Sequence, residues 1–355
     1  MRVLPSFASV GLVLVAASGG GCGSKQQAGY TNDNTFGQDG GGAGRGDAAC
    51  AGVTEQGKST PLNLFIMFDK SSSQVGDKWD AAKAGLAAFV NDPKSAGIRV
   101  ALGFFPRPAD ATPACDQNAY ATPRVPFDAL PQNAQPITNA IGAETPDGVD
   151  TPIYPALGGA ILGALSQAKS RPGESGAVLM VTDGEPTGPA PTCGGVNPED
   201  PAEIGKLAQA GVGSSPSVRT FVIGFPGVSS QIANQIAAAG GTQQAFIVAG
   251  TNIQQDFQNA LDQVRGNALP CDYTLPDKLA DKSFAYDKVN VIYTKLGAPT
   301  GETIPQSAGC AGDGWEYDNP KDPTRIILCG GTCARIKADG GGSVQVLLGC
   351  DTVVR

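Results

Sequence analysis

Asp69, Ser71, Ser73, Thr151 and Asp183 are the residues of this chain best suited to chemistry, because together they offer only oxygen. The first three stand in Asp69-Lys70-Ser71-Ser72-Ser73, directly after the apolar run Leu64 to Phe68. Thr151 lies in Asp150-Thr151-Pro152, just ahead of a small-residue helical pattern from Ala156 to Ala168. Asp183 closes a second apolar run that begins at Ala177. Carboxylates and hydroxyls without sulfur or imidazole are what a hard divalent cation takes as ligands. The chain has no histidine, which argues against most zinc, copper and haem chemistry. Taken singly, D-x-S-x-S is a common turn and helix-cap pattern. Three such segments, each at a strand end or a helix start, read as one cation site, because open α/β sheets bind ligands outside the carboxyl ends of their strands.

The order of the segments, D-x-S-x-S followed by a distant Thr and a distant Asp, resembles the metal-ion-dependent adhesion site (MIDAS) of the von Willebrand factor A (VWA) family. The resemblance covers roughly residues 60–265. It implies that Ser71, Ser73 and Thr151 touch Mg²⁺ or Mn²⁺ directly, while Asp69 and Asp183 act through bound water. A site with few direct carboxylates leaves its cation electrophilic toward an acidic group, and Mg²⁺ readily keeps a position for water or a ligand oxygen. The expected function is therefore that of a cell-surface binding or adhesion protein, which captures a protein partner by an exposed carboxylate. The alternatives are a metal-dependent hydrolase, or a structural envelope protein whose metal site only holds loops. An enzyme would need a general base or nucleophile beside the metal. Glu185 is the only nearby acid worth naming, and no G-x-S-x-G elbow occurs. The reading is of a protein without catalytic residues.

The elements that must position these residues follow the pattern of a doubly wound α/β fold. Leu62 to Phe68 is a continuous run, apolar but for Asn63, as a strand buried on both faces should be. Helical spacing runs from Asp77 to Val90, through Trp79, Ala82, Leu86 and Phe89. Further strands are expected at Ile98 to Phe105, Ala177 to Asp183, Arg219 to Phe225 and Gln244 to Ala249. A proline-flanked edge strand is expected at Tyr120 to Val125. Helices are expected at Gln132 to Ile141, Pro155 to Lys169, Ala202 to Gly211, Ser229 to Ala239 and Ile253 to Arg265. The sum is a mostly parallel six-stranded sheet, which is also what the resemblance implies.

The chain's ends differ from this domain. Residues 1–21 read as a signal peptide, too short for a permanent span. Ser18 to Cys22 resembles a lipoprotein cleavage box, with Gly19 where leucine is usual, so Cys22 is the expected lipid anchor, and ordinary cleavage nearby is the alternative. Residues 22–49 are Gly, Ser, Gln, Asn and Asp in the main, a flexible tether. Residues 50–269 would form the VWA domain and residues 270–355 a small cysteine-rich module of β-hairpins. Trp315 and Tyr317 there read as hairpin packing, with a carbohydrate-binding surface as the alternative. With this tail the chain resembles exported, acidic VWA proteins of myxobacterial-type Gram-negative bacteria. The expected location is the outer membrane or cell surface.

With Cys22 lipidated, eight cysteines remain, and in an exported chain they read as disulfides. Cys310 and Cys329 flank a hairpin turn at Asn319 to Asp322. Cys50 and Cys271 bracket the main domain, Cys115 and Cys193 fall in loops on the metal side, and Cys333 is left for Cys350. The net charge of −8 and the lack of a basic patch make nucleic acid and anionic headgroups poor partners.

Overall fold

The computed structural model describes residues 53–56, 58–59, 61–107, 115–188, 190–249, 251–268, 271–275, 285–295, 298–338 and 343–354. The signal segment, the tether, Cys22 and Cys50 lie outside the described residues. The chain first supplies two short strands, β1 (Val53–Gln56) and β2 (Lys58–Ser59). It then builds the central sheet from β3 (Leu62–Asp69), β4 (Arg99–Phe105), β5 (Val125–Ala129), β6 (Ser175–Thr182), β7 (Val218–Gly224) and β8 (Phe246–Ile247). The spatial order is β5-β4-β3-β6-β7-β8. All neighbours are parallel except β5, which runs antiparallel on β4 at one edge.

Among the described residues seven α-helices cover the two faces: α1 (Asp77–Asn91), α2 (Gln117–Ala121), α3 (Ala134–Ala143), α4 (Ile153–Ser170), α5 (Pro201–Val212), α6 (Ser230–Ala239) and α7 (Ile253–Ala268). The period-two alternation of β3 sorts the core. Leu62, Leu64, Ile66 and Phe68 pack with Trp79 and Leu86 of α1, Ile137 of α3 and Phe257 of α7. Phe65 and Met67 pack instead with Ala156, Leu157 and Ala160 of α4 and with Ile204 of α5. Hence every residue of β3 is buried, Asn63 included, whose amide donates to the Glu174 carboxylate at 2.9 Å and to the Ser175 carbonyl at 3.2 Å. This is the expected mostly parallel six-stranded architecture.

The expected strand at Tyr120 to Val125 is shifted. The Asp116 carboxylate accepts the Asn118 N–H at 2.9 Å and caps α2, which takes Tyr120 into a helix, and the edge strand begins at Val125. Pro126 then sits in β5, where an edge tolerates a missing donor.

The described residues form one compact unit. Beyond α7 come β9 (Asp272–Thr274), β10 (Val289–Thr294), β11 (Glu302–Ile304), β12 (Trp315–Tyr317), β13 (Arg325–Leu328), α8 (Gly330–Ala338) and β14 (Ser343–Leu348). They make two antiparallel four-stranded sheets, β1-β14-β10-β11 and β12-β13-β9-β2. Both sheets thus draw a strand from before the central domain. Trp315 and Tyr317 are buried with Tyr293, Val291, Ile326 and Val346, so they are packing residues and not a sugar-binding surface. The Lys337 ammonium, from α8, donates to the Asn267 carbonyl at the end of α7 at 3.0 Å. Burial and then the nearby Arg219 hold its pKa down, to about 8.

Disulfides join Cys115 to Cys193 and Cys310 to Cys329, as expected. The other two expected pairs are not formed. Cys271 bonds to Cys333 instead of Cys50, and Cys333 is therefore closed to Cys350. The reason is strand pairing. The Leu328 N–H donates to the Cys271 carbonyl, which brings Cys271 beside the start of α8, where the Cys333 N–H reaches the Cys329 carbonyl. Cys350 is disulfide-bonded as well. The other six described cysteines pair among themselves, so its partner lies outside the described residues.

Two outcomes are expected. A Cβ at Gly159 would lie 2.3 Å from the Gln117 carbonyl oxygen and 2.4 Å from the Tyr120 Cβ, so α4 meets α2 only because glycine stands there. Gly159→Ala should cost about 1–3 kcal/mol of unfolding free energy. Gly142→Ala, where a Cβ meets nothing within 4 Å, should add up to about 1 kcal/mol. Urea titration distinguishes them, and equal midpoints would show that α2 yields freely. Peptide mapping without reductant should recover Cys271 linked to Cys333; a Cys50–Cys271 peptide would contradict the observed pairing.

Candidate metal centre

β3 and β6 are neighbours at the middle of the sheet, and their carboxyl ends carry Asp69 and, one residue past β6, Asp183. Asp69 is fully buried. One of its oxygens accepts the Ser71 N–H at 2.8 Å and the other the Thr182 hydroxyl at 2.6 Å. Burial is the main influence on its carboxyl and raises the pKa to about 6. The hydrogen bonds from Thr182 and Ser71 oppose that rise, and the charge of Asp183 adds to it.

The first hydrogen bond turns the chain sharply after β3 and aims both serines toward β6. The Ser71 and Ser73 hydroxyl oxygens lie 2.9 Å apart, and the Ser73 hydroxyl donates to Asp183 Oδ1 at 2.8 Å. Ser71 and Asp183 are buried, and Ser73 is exposed. A backbone clamp holds this loop to the segment before Thr151: the Ser72 N–H donates to the Gly148 carbonyl, and the Gly148 N–H to the Lys70 carbonyl. Thr151 is itself fixed by Thr187, whose hydroxyl accepts the Thr151 N–H at 2.8 Å. A Cβ added to Gly184 would stand 3.1 Å from the Thr151 hydroxyl oxygen, which places that hydroxyl beside the residue after Asp183. All five expected residues are therefore brought together at the carboxyl ends of the two middle strands.

The donor set, hydroxyl and carboxylate oxygens, is of the type that a hard divalent cation takes. A carboxylate whose charged form is disfavoured by burial, as in Asp69, is also one that a neighbouring cation stabilises. No group of three or more His, Cys, Asp or Glu side chains suited to a metal occurs among the described residues.

Sequence reasoning missed four residues here. Thr182 holds Asp69, and its position just before Asp183 at a strand end was a readable hint. Thr187 holds Thr151 and gave none. Lys78, in the first turn of α1, forms an ion pair with Asp183 Oδ2 and donates to the Pro226 carbonyl at 3.2 Å. A lysine at the positive end of a helix is locally unfavourable, and that anomaly was visible in the sequence. Gln74 follows Ser73 in a short 3₁₀ turn, Ser72–Gln74, and is fully buried with neither amide atom hydrogen-bonded. Gly76, at φ +90°, then turns the chain into α1. Glu185 is exposed.

No protein-family model matches the sequence, and no curated protein matches it. Solved structures similar to the chain include a von Willebrand factor type A protein from Catenulispora acidiphila, at 15% identity and a TM-score of 0.41, over 85% of this chain and 61% of that one. The pilus adhesin SpaC from Lactobacillus rhamnosus GG, in its open conformation, is similar at 12% identity and a TM-score of 0.45, over 84% and 40%. Manganese-loaded TRAP protein of Plasmodium vivax is similar at 12% identity and a TM-score of 0.37, over 60% and 78%. The chain spans less than two thirds of the first two.

Gln74→Leu should raise the unfolding free energy by about 1–3 kcal/mol, because it removes a buried amide without partners. Denaturant titration of the metal-free protein is the check. A loss of stability would show that the amide is satisfied by a group such as water.

Proposed function

We propose that this protein is an exported, surface-located binding protein of VWA type, which captures an acidic group of a protein partner through Mg²⁺ or Mn²⁺. It acts by binding and not by catalysis. The observation that carries this reading is the linked oxygen set at the ends of β3 and β6, Ser71 to Ser73 to Asp183, with Asp69 behind it and Thr151 beside it. Ser71, Ser73 and Thr151 would hold the cation, and Asp69 and Asp183 would orient its remaining shell. The bound cation would supply a positive, electrophilic position for a carboxylate oxygen.

The rim of the site supports a macromolecular partner. Val149 is 91% exposed and Val75 is 63% exposed, among the most exposed large apolar residues described. Val75 follows the serine loop, and Val149 follows Gly148, whose backbone is bonded to that loop. Two bare valines flanking a charged centre suit a partner that sets apolar surface around its acidic residue. The disulfides among the described residues suit an oxidising compartment. Among the described residues no helix is long and apolar enough to cross a membrane. We assign membrane attachment to a lipid on Cys22.

Two measurements test the reading. Calorimetry with MnCl₂ and MgCl₂ should show one divalent ion per chain, with affinity reduced by roughly tenfold or more in Ser73→Ala and Thr151→Ala. Circular dichroism should stay unchanged, because Ser73 is exposed and Thr151 is held mainly through its backbone. Capture of envelope proteins on the immobilised chain should need the ion, and Val149→Asp should lower capture while leaving Mn²⁺ uptake intact. Capture unaffected by chelator would place recognition elsewhere on the chain.

A further inference from the structure

Lys78 is a site residue that a cation-binding role does not require, and it rests directly on a candidate ligand. It lies in the first turn of α1, otherwise marked by Asp77 and Asp80, acids that suit the positive end of a helix. Its ammonium does not extend into solvent. It folds across to the fully buried Asp183 carboxylate, takes Oδ2, and is anchored from behind by the Pro226 carbonyl at 3.2 Å. The other oxygen of the same carboxylate receives the Ser73 hydroxyl. Asp183 therefore divides its two oxygens between the hydroxyl chain and a tethered positive charge.

We propose that Lys78 is a built-in counter-cation that competes with the divalent ion for Asp183 and so sets the affinity of the site. The inference rests on the cation reading above. Two positive charges on one desolvated carboxylate repel, and the repulsion is stronger in a partly buried site than in water. In the metal-free protein Lys78 keeps Asp183 paired and the loop ordered, so the site is pre-shaped without an ion. On loading, the ammonium must give up part of its contact with Oδ2, and the site fills only at a higher ion concentration than the five oxygen residues alone would need. The long, flexible lysine stem suits such an exchange, because the charge can swing out without moving the helix.

The test is calorimetric titration of the full chain with MnCl₂, for wild type, Lys78→Gln, Lys78→Met and Lys78→Arg. Lys78→Gln and Lys78→Met should bind Mn²⁺ roughly tenfold or more tightly, a change of about 1.4 kcal/mol or more. Lys78→Arg should stay near wild type, because it keeps the charge. In thermal melts without metal, Lys78→Met should unfold at lower temperature than wild type, and Mn²⁺ should raise its midpoint by more. Equal or weaker Mn²⁺ binding in both neutral variants would overturn the role of Lys78. If that binding is still lost in Ser73→Ala, the cation site itself stands. No Mn²⁺ uptake by wild type or by either neutral variant would remove the cation reading as well. Should Lys78→Gln fail to fold, Lys78→Met, which keeps the aliphatic stem, decides the matter.

Discussion

A buried carboxylate with both oxygens occupied ties the two central strands together at the point where function is expected. Asp69 accepts from its own loop, at the Ser71 N–H, and from a residue 113 positions away, Thr182, at the end of the neighbouring strand. Burying a carboxylate is costly unless its oxygens are satisfied, and burial has raised its pKa to about 6 despite both donors. The group is thus a point of stored electrostatic cost, held in place by the core beneath it. Phe68 and Val181, next to it in each strand, are fully buried. Both hydroxyl groups of the serine loop take their direction from the turn that the first hydrogen bond makes. If β3 and β6 were not adjacent, Ser73 would not reach Asp183, and the constellation would not exist.

Much of this was legible before the structure. The apolar runs that end at Asp69 and at Thr182 could only be strands buried on both faces, and such strands occupy the middle of a sheet. Oxygen ligands at both ends therefore had to lie close together. Edges were harder to read. Tyr120 to Val125 looked extended, but the deciding factor was Asp116, a helix cap that competes with the local prolines. The cysteines show a different limit. Cys271 appeared to close the main domain, but its partner was fixed by the pairing of β9 with β13, a non-local event that spacing does not encode. Lys78 stood out as a lysine at a helix start, but its partner was illegible for a similar reason. Its reach to Asp183 spans 105 positions, and only the sheet order brings the start of α1 near the end of β6.

The placement of β1 and β2 gives the cysteine-rich part a mechanical role. Lys58 pairs with Thr274, so the strand that leads into the central domain lies beside the strand that leaves it. Val53 pairs with Leu348 near the other end of the chain. The central domain is therefore inserted into the small module, which clasps both of its ends. Closing so long a loop by strand pairing costs closure entropy on folding, a cost that grows only slowly with loop length, and Cys271–Cys333 fixes the exit strand against α8. The clasp lies in sheets separate from the strand ends that carry Asp69 and Asp183. The loops around the candidate site are then free to differ in sequence, with the ends of the domain secured elsewhere.

Charge explains why such a site would select an acid. Asp69 and Asp183 bring two negative charges, and Lys78 cancels one of them. Lys70 adds nothing outward, since it is paired with Glu144 at 2.9 Å and with Asp147 at 3.5 Å. A divalent ion would bring the two carboxylates to neutral, and the contact that Lys78 keeps would make the centre positive, whereas three unpaired carboxylates would leave it negative. The rest of the chain is acidic, at −8 overall, so its general field repels an acidic partner at long range. Attraction is then confined to within about one Debye length of the centre, roughly 8 Å at physiological salt. A partner gains nothing from a loose electrostatic encounter. On the proposed reading it would have to bring its carboxylate to that point, and the valines at positions 75 and 149 would limit which surfaces can follow it there.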